Sequence, residues 1–134
     1  MQLREKEYVK TNLPEHWKPY YIFEIIVGID VVGKIVLREG NLEERYYDGH
    51  IGFTIDPQYR GHNYAFQATL LVLEIAKKKG FKDIIITCSP NNIASKKTIQ
   101  KLPFNYIETK AIPKELARYV EQGERIKEIY HISL

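Results

Sequence analysis

His50-Ile51-Gly52-Phe53-Thr54-Ile55-Asp56-Pro57-Gln58-Tyr59-Arg60-Gly61-His62-Asn63-Tyr64-Ala65 is the stretch that decides the fold. It opens as a strand, clearest over His50 to Ile55, rich in β-branched and aromatic residues. Asp56-Pro57 stops that strand, and Gln58 to Asn63 is a polar loop bearing one glycine. From Tyr64 to Lys79 the residues Ala65, Ala68, Leu70, Leu71, Val72, Leu73, Ile75 and Ala76 form an apolar stripe wide enough to pack a helix on a sheet. Lys77, Lys78 and Lys79 suit its negative C-terminal end, and Gly80 is placed to cap it.

Reading toward the C-terminus, Asp83 to Cys88 is a continuous apolar run, as in a strand covered on both faces near the middle of a sheet. Ser89-Pro90-Asn91-Asn92 breaks it, and Asn91 or Asn92 caps a shorter helix over Ile93 to Leu102. Pro103 ends that helix, and Phe104 to Thr109 is the next strand. A third helix is predicted over Pro113 to Glu121, and a last strand over Arg125 to Leu134. Toward the N-terminus, the strand character extends back to Tyr46 behind a polar loop that begins at Gly40. Tyr20 to Val27 and Val31 to Leu37 read as a hairpin around Gly28-Ile29-Asp30. Pro14 and Pro19 make a loop of residues 11–19, with Trp17 as an anchor onto the core, and residues 1–10 alternate as a short strand. An antiparallel meander followed by helical crossovers gives an α/β domain with a mixed, mostly antiparallel sheet and helices on both faces.

A length of 134 residues fits one domain spanning 1–134. A composition 44% hydrophobic and 28% charged excludes wholesale disorder. A net charge of +3 is too weak to imply nucleic acid. The single cysteine, Cys88, excludes an internal disulfide and any metal site built on cysteine pairs, and no metal is expected. The mixed-charge N-terminus is no signal peptide, and no run reaches the ~18–20 apolar residues of a membrane span. The expected compartment is the cytoplasm.

The chemistry concentrates at the junction from Ile55 to Ala65. A loop feeding a helix presents unpaired backbone N–H groups at the positive end of the helix dipole, a ready anion site suited to a diphosphate. Gly61 allows close approach, Asn63 tolerates a left-handed backbone, and Ala65 keeps the first turn narrow. A plain strand-to-helix turn with a surface arginine is the alternative. Neither a dinucleotide fingerprint nor a P-loop is present.

Arg60-Gly61-His62-Asn63-Tyr64-Ala65 resembles the coenzyme A signature of the GNAT N-acetyltransferases, Arg/Gln-x-x-Gly-x-Gly/Ala, with Asn63 in place of the central glycine. Asn92-Ile93-Ala94-Ser95 through Lys101-Leu102-Pro103-Phe104 is similar to the family's Asn-x-x-Ala/Ser…Glu-Lys-x-Gly-Phe stretch. The resemblance runs from about Tyr20 to the C-terminus. It lacks the two helices that most members carry between their first two strands. It implies an acetyl-coenzyme A cleft where two parallel strands splay apart. The strand ending at Ile55 would offer backbone groups to the acetyl and pantetheine parts. Arg60, Gly61, His62, Asn63, Tyr64 and Ala65 would surround the pyrophosphate, and Asn92 and Ser95 would meet the pantetheine arm. The implied reaction is attack of a neutral primary amine on the thioester in a ternary complex, the amine belonging to a small molecule in preference to a protein.

The family's thiol-protonating tyrosine falls here on Ile99, which has no proton to give. His50 is the candidate base, since its ordinary pKa of ~6.5 suits proton uptake near neutrality. A structural or surface histidine is the alternative. Cys88 reads as a buried inert thiol in preference to a nucleophile. Between Ala76 and Lys101 stand seven lysines and one acid, Asp83. This segment is either a solvated surface or an attraction for the cofactor's 3′-phosphate. Two competing readings follow: a catalytically silent acyl-coenzyme A-binding module, motivated by Ile99, and a basic nucleic-acid-binding domain, which ranks last. The substrate side, short of the usual helices, is open to completion by a second copy in a homodimer.

Overall fold

A computed structural model describes residues 1–15, 17–119 and 125–134. The strands are β1 (Gln2–Val9), β2 (Tyr20–Val27), β3 (Asp30–Arg38), β4 (Ile51–Ile55), β5 (Asp83–Cys88), β6 (Asn105–Ala111) and β7 (Ile126–Ser133). The α-helices are α1 (Tyr64–Lys78) between β4 and β5, and α2 (Ile93–Gln100) between β5 and β6. The third helix expected over Pro113 to Glu121 forms instead as a 3-10 turn over Lys114–Tyr119, and residues 120 and 121 of that expectation lie outside the described residues.

The α/β fold class stands, with one refinement. The strands form two antiparallel sheets, ordered β1-β2-β3-β4 and β5-β7-β6, in place of one mixed sheet. The sheets meet where the His50 N–H donates to Ile85 O at 2.7 Å. Beyond that contact β4 and β5 form no ladder. β5 is thus an edge strand of its own sheet, yet Ile84, Ile85 and Ile86 are all buried: Ile84 and Ile86 join the core, and Tyr47 and His50, before β4, cover its free edge at Thr87 and Ile85.

The register of the first sheet sorts its side chains onto two faces. Phe23 opposes Ile35, and Leu37 opposes Ile51. These residues join Ala68, Val72, Leu73 and Ala76 of α1 in the core, with Ile99 of α2 and Ile84 and Ile86 of β5. The opposite face carries Tyr20 opposite Arg38, Val36 opposite Gly52, and Lys34 opposite Thr54. The two α-helices touch each other and share that one core, so the first sheet does not have helices on both faces as expected. Its second face stays open, because the described part of the segment joining β1 to β2 contains no helix. Trp17, expected to anchor that loop onto the core, is 43% exposed and stacks edge-on with Tyr20 above the open face.

Both helices end as their sequences dictate. After α1, the Phe81 N–H bonds to Ala76 O and the Gly80 N–H to Lys77 O, the paired bonds of a Schellman cap. At α2, Asn92 Oδ1 accepts from the Ser95 N–H at 3.1 Å.

Candidate active site

A cleft of about 770 Å³ opens between β4 and β5. Ile51 to Thr54 and Asp56 line one wall, and Ile86 to Ser89 line the other, with Asn92 and Ser95 of α2 beside them. The cleft exists because β4 is hydrogen-bonded on one edge only. Arg38 N–H bonds to His50 O and Asp56 N–H to Val32 O, so the even positions of β4 turn their backbone groups toward β3. By the alternation of an antiparallel ladder, Ile51, Phe53 and Ile55 turn theirs toward β5 and the cleft. Ile55 O is already taken by Arg60 Nε at 3.0 Å.

The loop after β4 enters α1 with unusual backbone geometry. Gly61 has φ +92° and open space where a Cβ would stand. Asn63, the residue before the helix, is left-handed at φ 61° and ψ 25°, and its side chain does not cap the helix. Its Oδ1 accepts from Lys101 Nζ at 2.9 Å instead. Gln67 N–H is the first to find a helical carbonyl, that of Asn63. Among the described residues nothing accepts from the N–H groups of residues 61–66. His62 and Tyr64 stack with ring centroids 5.2 Å apart, and both flank these N–H groups. Asn63 therefore adopts the left-handed conformation that its residue type tolerates.

On the α2 side, the capping bond uses only the Asn92 oxygen, so its Nδ2 is available to the cleft. Ser95 lines the same wall. Arg60, Gly61, His62, Asn63, Tyr64 and Ala65 lie outside the cleft's own lining, at the opening of α1.

His50 requires correction as the base. It is 1% exposed, its Nε2 donates to Gly40 O at 2.8 Å, and its Nδ1 accepts from the Ile85 N–H at 2.9 Å. Burial, with Arg45 and Arg38 nearby, holds the imidazole below its ordinary pKa. A neutral ring with both nitrogens engaged by backbone is a structural bolt at the seam of the two sheets, with no lone pair left for a substrate proton.

Ile99 sits in the core at 1% exposure and offers packing and no proton donor. Cys88 lines the cleft, but its thiol faces Glu128 Oε1 at 3.8 Å and its pKa is pushed up to about 11 by burial and that carboxylate. It stays protonated near neutrality. Glu128 is itself held by Lys96 Nζ at 3.1 Å.

The residue pattern did not reveal a cationic wall on the open-face side of the cleft. Arg38 NH1 donates to Asp48 O and Gly49 O, each at 3.2 Å. Arg45 NH1 donates to Asp48 Oδ2 at 2.9 Å. Burial raises the Asp48 carboxyl above its ordinary value, against the pull of Arg45 and Arg38. The only signal for this wall is pairing register, since Arg38 reaches Gly52 across two strands that are 14 positions apart in sequence.

A family model for the acetyltransferase (GNAT) domain matches residues 3–105. No curated protein matches the sequence. Among solved structures, the chain is similar to the microcin C7 self-immunity acetyltransferase MccE in complex with acetyl-CoA and AMP. There the identity is 16% and the TM-score 0.67, covering 86% of this chain and 61% of that one. It is also similar to RimL, a ribosomal L7/L12 alpha-N-protein acetyltransferase, in complex with coenzyme A, at 15% identity and TM-score 0.67, covering 86% and 62%. A GNAT-family acetyltransferase from Bacillus anthracis gives 25% identity and TM-score 0.64, covering 85% and 65%. The likeness to the first two is one of fold. The chain spans about three-fifths of the length of these structures.

Proposed function

Since the chain belongs to the GNAT acetyltransferase family, we propose that it is an N-acetyltransferase moving an acetyl group from acetyl-coenzyme A to a primary amine, a small molecule in preference to a protein. The observation that carries this reading is the set of unclaimed N–H groups of residues 61–66 at the positive end of α1, next to a cleft walled by the half-paired β4. Those donors fit a diphosphate. The open space at Gly61 lets it approach the backbone.

When bound, acetyl-coenzyme A supplies an acetyl thioester. The residues of the chain do the rest by position. Backbone donors from Gly61 to Phe66 hold the diphosphate, with Arg60, His62 and Tyr64 around it. Asn92 Nδ2 and the Ser95 hydroxyl meet the pantetheine arm. The outward backbone groups of Ile51 and Phe53, with the Ile55 N–H, align the amide and acetyl ends, and their N–H donors stabilise negative charge developing on the thioester oxygen. The carboxylates lining the cleft are Asp48 and Asp56, and these and solvent are the acceptors for the proton of the attacking amine, while solvent supplies the proton to the coenzyme A thiolate released as the C–S bond breaks. The cytoplasm is the compartment we assign, and a homodimer that covers the open sheet face is part of the reading. Solution scattering that returns a 15.7 kDa particle removes the dimer alone.

Gly61→Glu tests the cofactor site. Saturating acetyl-coenzyme A at a hundredfold over its Kd stabilises the parent by about 2.7 kcal/mol. The variant, with bulk and negative charge at the diphosphate, should melt somewhat below the parent, because Glu is strained at φ +92°, and should show no shift with the ligand. An equal shift in both proteins defeats the placement. The buried Ile99 favours a second reading, a silent acyl-coenzyme A-binding module. Stabilisation without thiol release across a panel of amines selects it.

A further inference from the structure

We propose that Arg38 is the acceptor-specificity residue, docking an anionic group, a carboxylate or a phosphate ester, that the acceptor carries beside its amine. This deepens the transferase reading above and rests on it.

Arg38 stands on the face of the first sheet opposite α1, hence across the sheet from the helix opening that would receive the diphosphate. It is half-buried and lines the cleft. Its NH1 is spent on two backbone carbonyls, both at the long distance of 3.2 Å. No described carboxylate lies within ion-pair distance of it, whereas its neighbours are paired: Arg45 with Asp48 at 2.9 Å and Lys18 with Glu44 at 3.0 Å. The remaining N–H groups of the guanidinium, on Nε and NH2, have no partner among the described residues. A half-buried guanidinium with an unused donor edge is matched by a planar or tetrahedral oxyanion.

The position of that edge ties it to the reaction. Gly52 on β4 leaves the room that NH2 uses, since a Cβ there would stand 2.9 Å from NH2. Gly52 is flanked by Ile51 and Phe53, whose backbone groups face the cleft. An anion on Arg38 therefore holds its own amine beside the strand edge that would align the thioester. Trp17 and Tyr20 stand over the same face and provide an apolar flank.

The test uses matched acceptors with the whole protein at saturating acetyl-coenzyme A, reading thiol release. L-leucine is compared with L-leucinamide, and O-phosphoethanolamine with ethanolamine, which separates a carboxylate source from a phosphate source. A charge-assisted contact predicts that the parent prefers the anionic member of at least one pair by about tenfold in kcat/KM. Arg38→Gln should erase that preference through KM, and Arg38→Lys should restore part of it. A parent that favours the neutral members, or an Arg38→Gln protein with an unchanged ratio, overturns the proposal. If Arg38→Gln fails to fold, the parent's ratios and the Arg38→Lys ratios decide. If nothing turns over, calorimetry of the four probes on the coenzyme A-saturated parent decides instead, and absence of binding by both anionic probes overturns it. Loss of acetyl-coenzyme A binding by the parent is a different outcome, which defeats the transferase reading itself.

Discussion

His50 joins Gly40 O to the Ile85 N–H through its two ring nitrogens, so its removal strands two buried backbone groups. His50→Ala should cost about 2–4 kcal/mol in chemical denaturation. Its titration has a definite sign. The folded pKa is lowered by burial, while the unfolded chain titrates at the ordinary ~6.5. The unfolded state therefore binds more protons below that value, and stability present above pH ~6.5 is lost as the pH falls beneath it. Asp48, raised by burial, acts in the opposite sense nearer the carboxylate range. Melting temperatures taken from pH 7.5 down to 5 should fall in the parent and fall less in His50→Gln. A pH–rate profile that loses a titration in His50→Gln would instead restore the histidine as a base.

At the level of elements, α2 carries within a single side chain a structural duty and the binding duty proposed for it. Asn92 caps the helix with its oxygen and leaves its amide nitrogen free of protein partners beside the cleft. Asn92→Ala should lose about 1 kcal/mol of stability and also weaken acetyl-coenzyme A binding. Asn92→Asp keeps an oxygen for the Ser95 N–H, so its melting point should stay near the parent's while its affinity for acetyl-coenzyme A falls. Paired melting and calorimetry check this, and equal affinity in Asn92→Asp and the parent removes the residue from the pantetheine site. The lysines ending α1 and the cap after it were readable locally, because a cap is written within a few residues of the helix it ends.

The whole molecule depends on the narrow joint between its two sheets. Gly49 stands there with φ +76°, and a Cβ would lie 3.1 Å from Ile85 O. The backbone is left-handed and the neighbour is itself main chain, so neither side gives easily. Gly49→Ala should destabilise by about 1–3 kcal/mol. It should also speed hydrogen exchange at the His50 and Ile85 amides more than at the β2–β3 hairpin. Uniform exchange rates across both sheets would show that the joint is not the weak seam.

Periodicity and turn chemistry were enough for the order of strands and helices, the loop that opens α1 and the Asn92 cap, since each is settled by neighbours in sequence. Tyr46 to His50 misled as strand because its Tyr-rich composition favours a sheet, while Arg45, Asp48 and the turn at Gly49 hold it as a loop. His50 looked like a base for the same kind of reason. Its ring chemistry is visible in the sequence, but its burial against Ile85, 35 positions away, is not. The split into two sheets, the open second face and the unpaired edge of Arg38 likewise came only with the fold. Local order follows from interactions a few residues long, whereas which face is covered, and which charge is left without a partner, depends on contacts that the chain makes only after it has closed on itself.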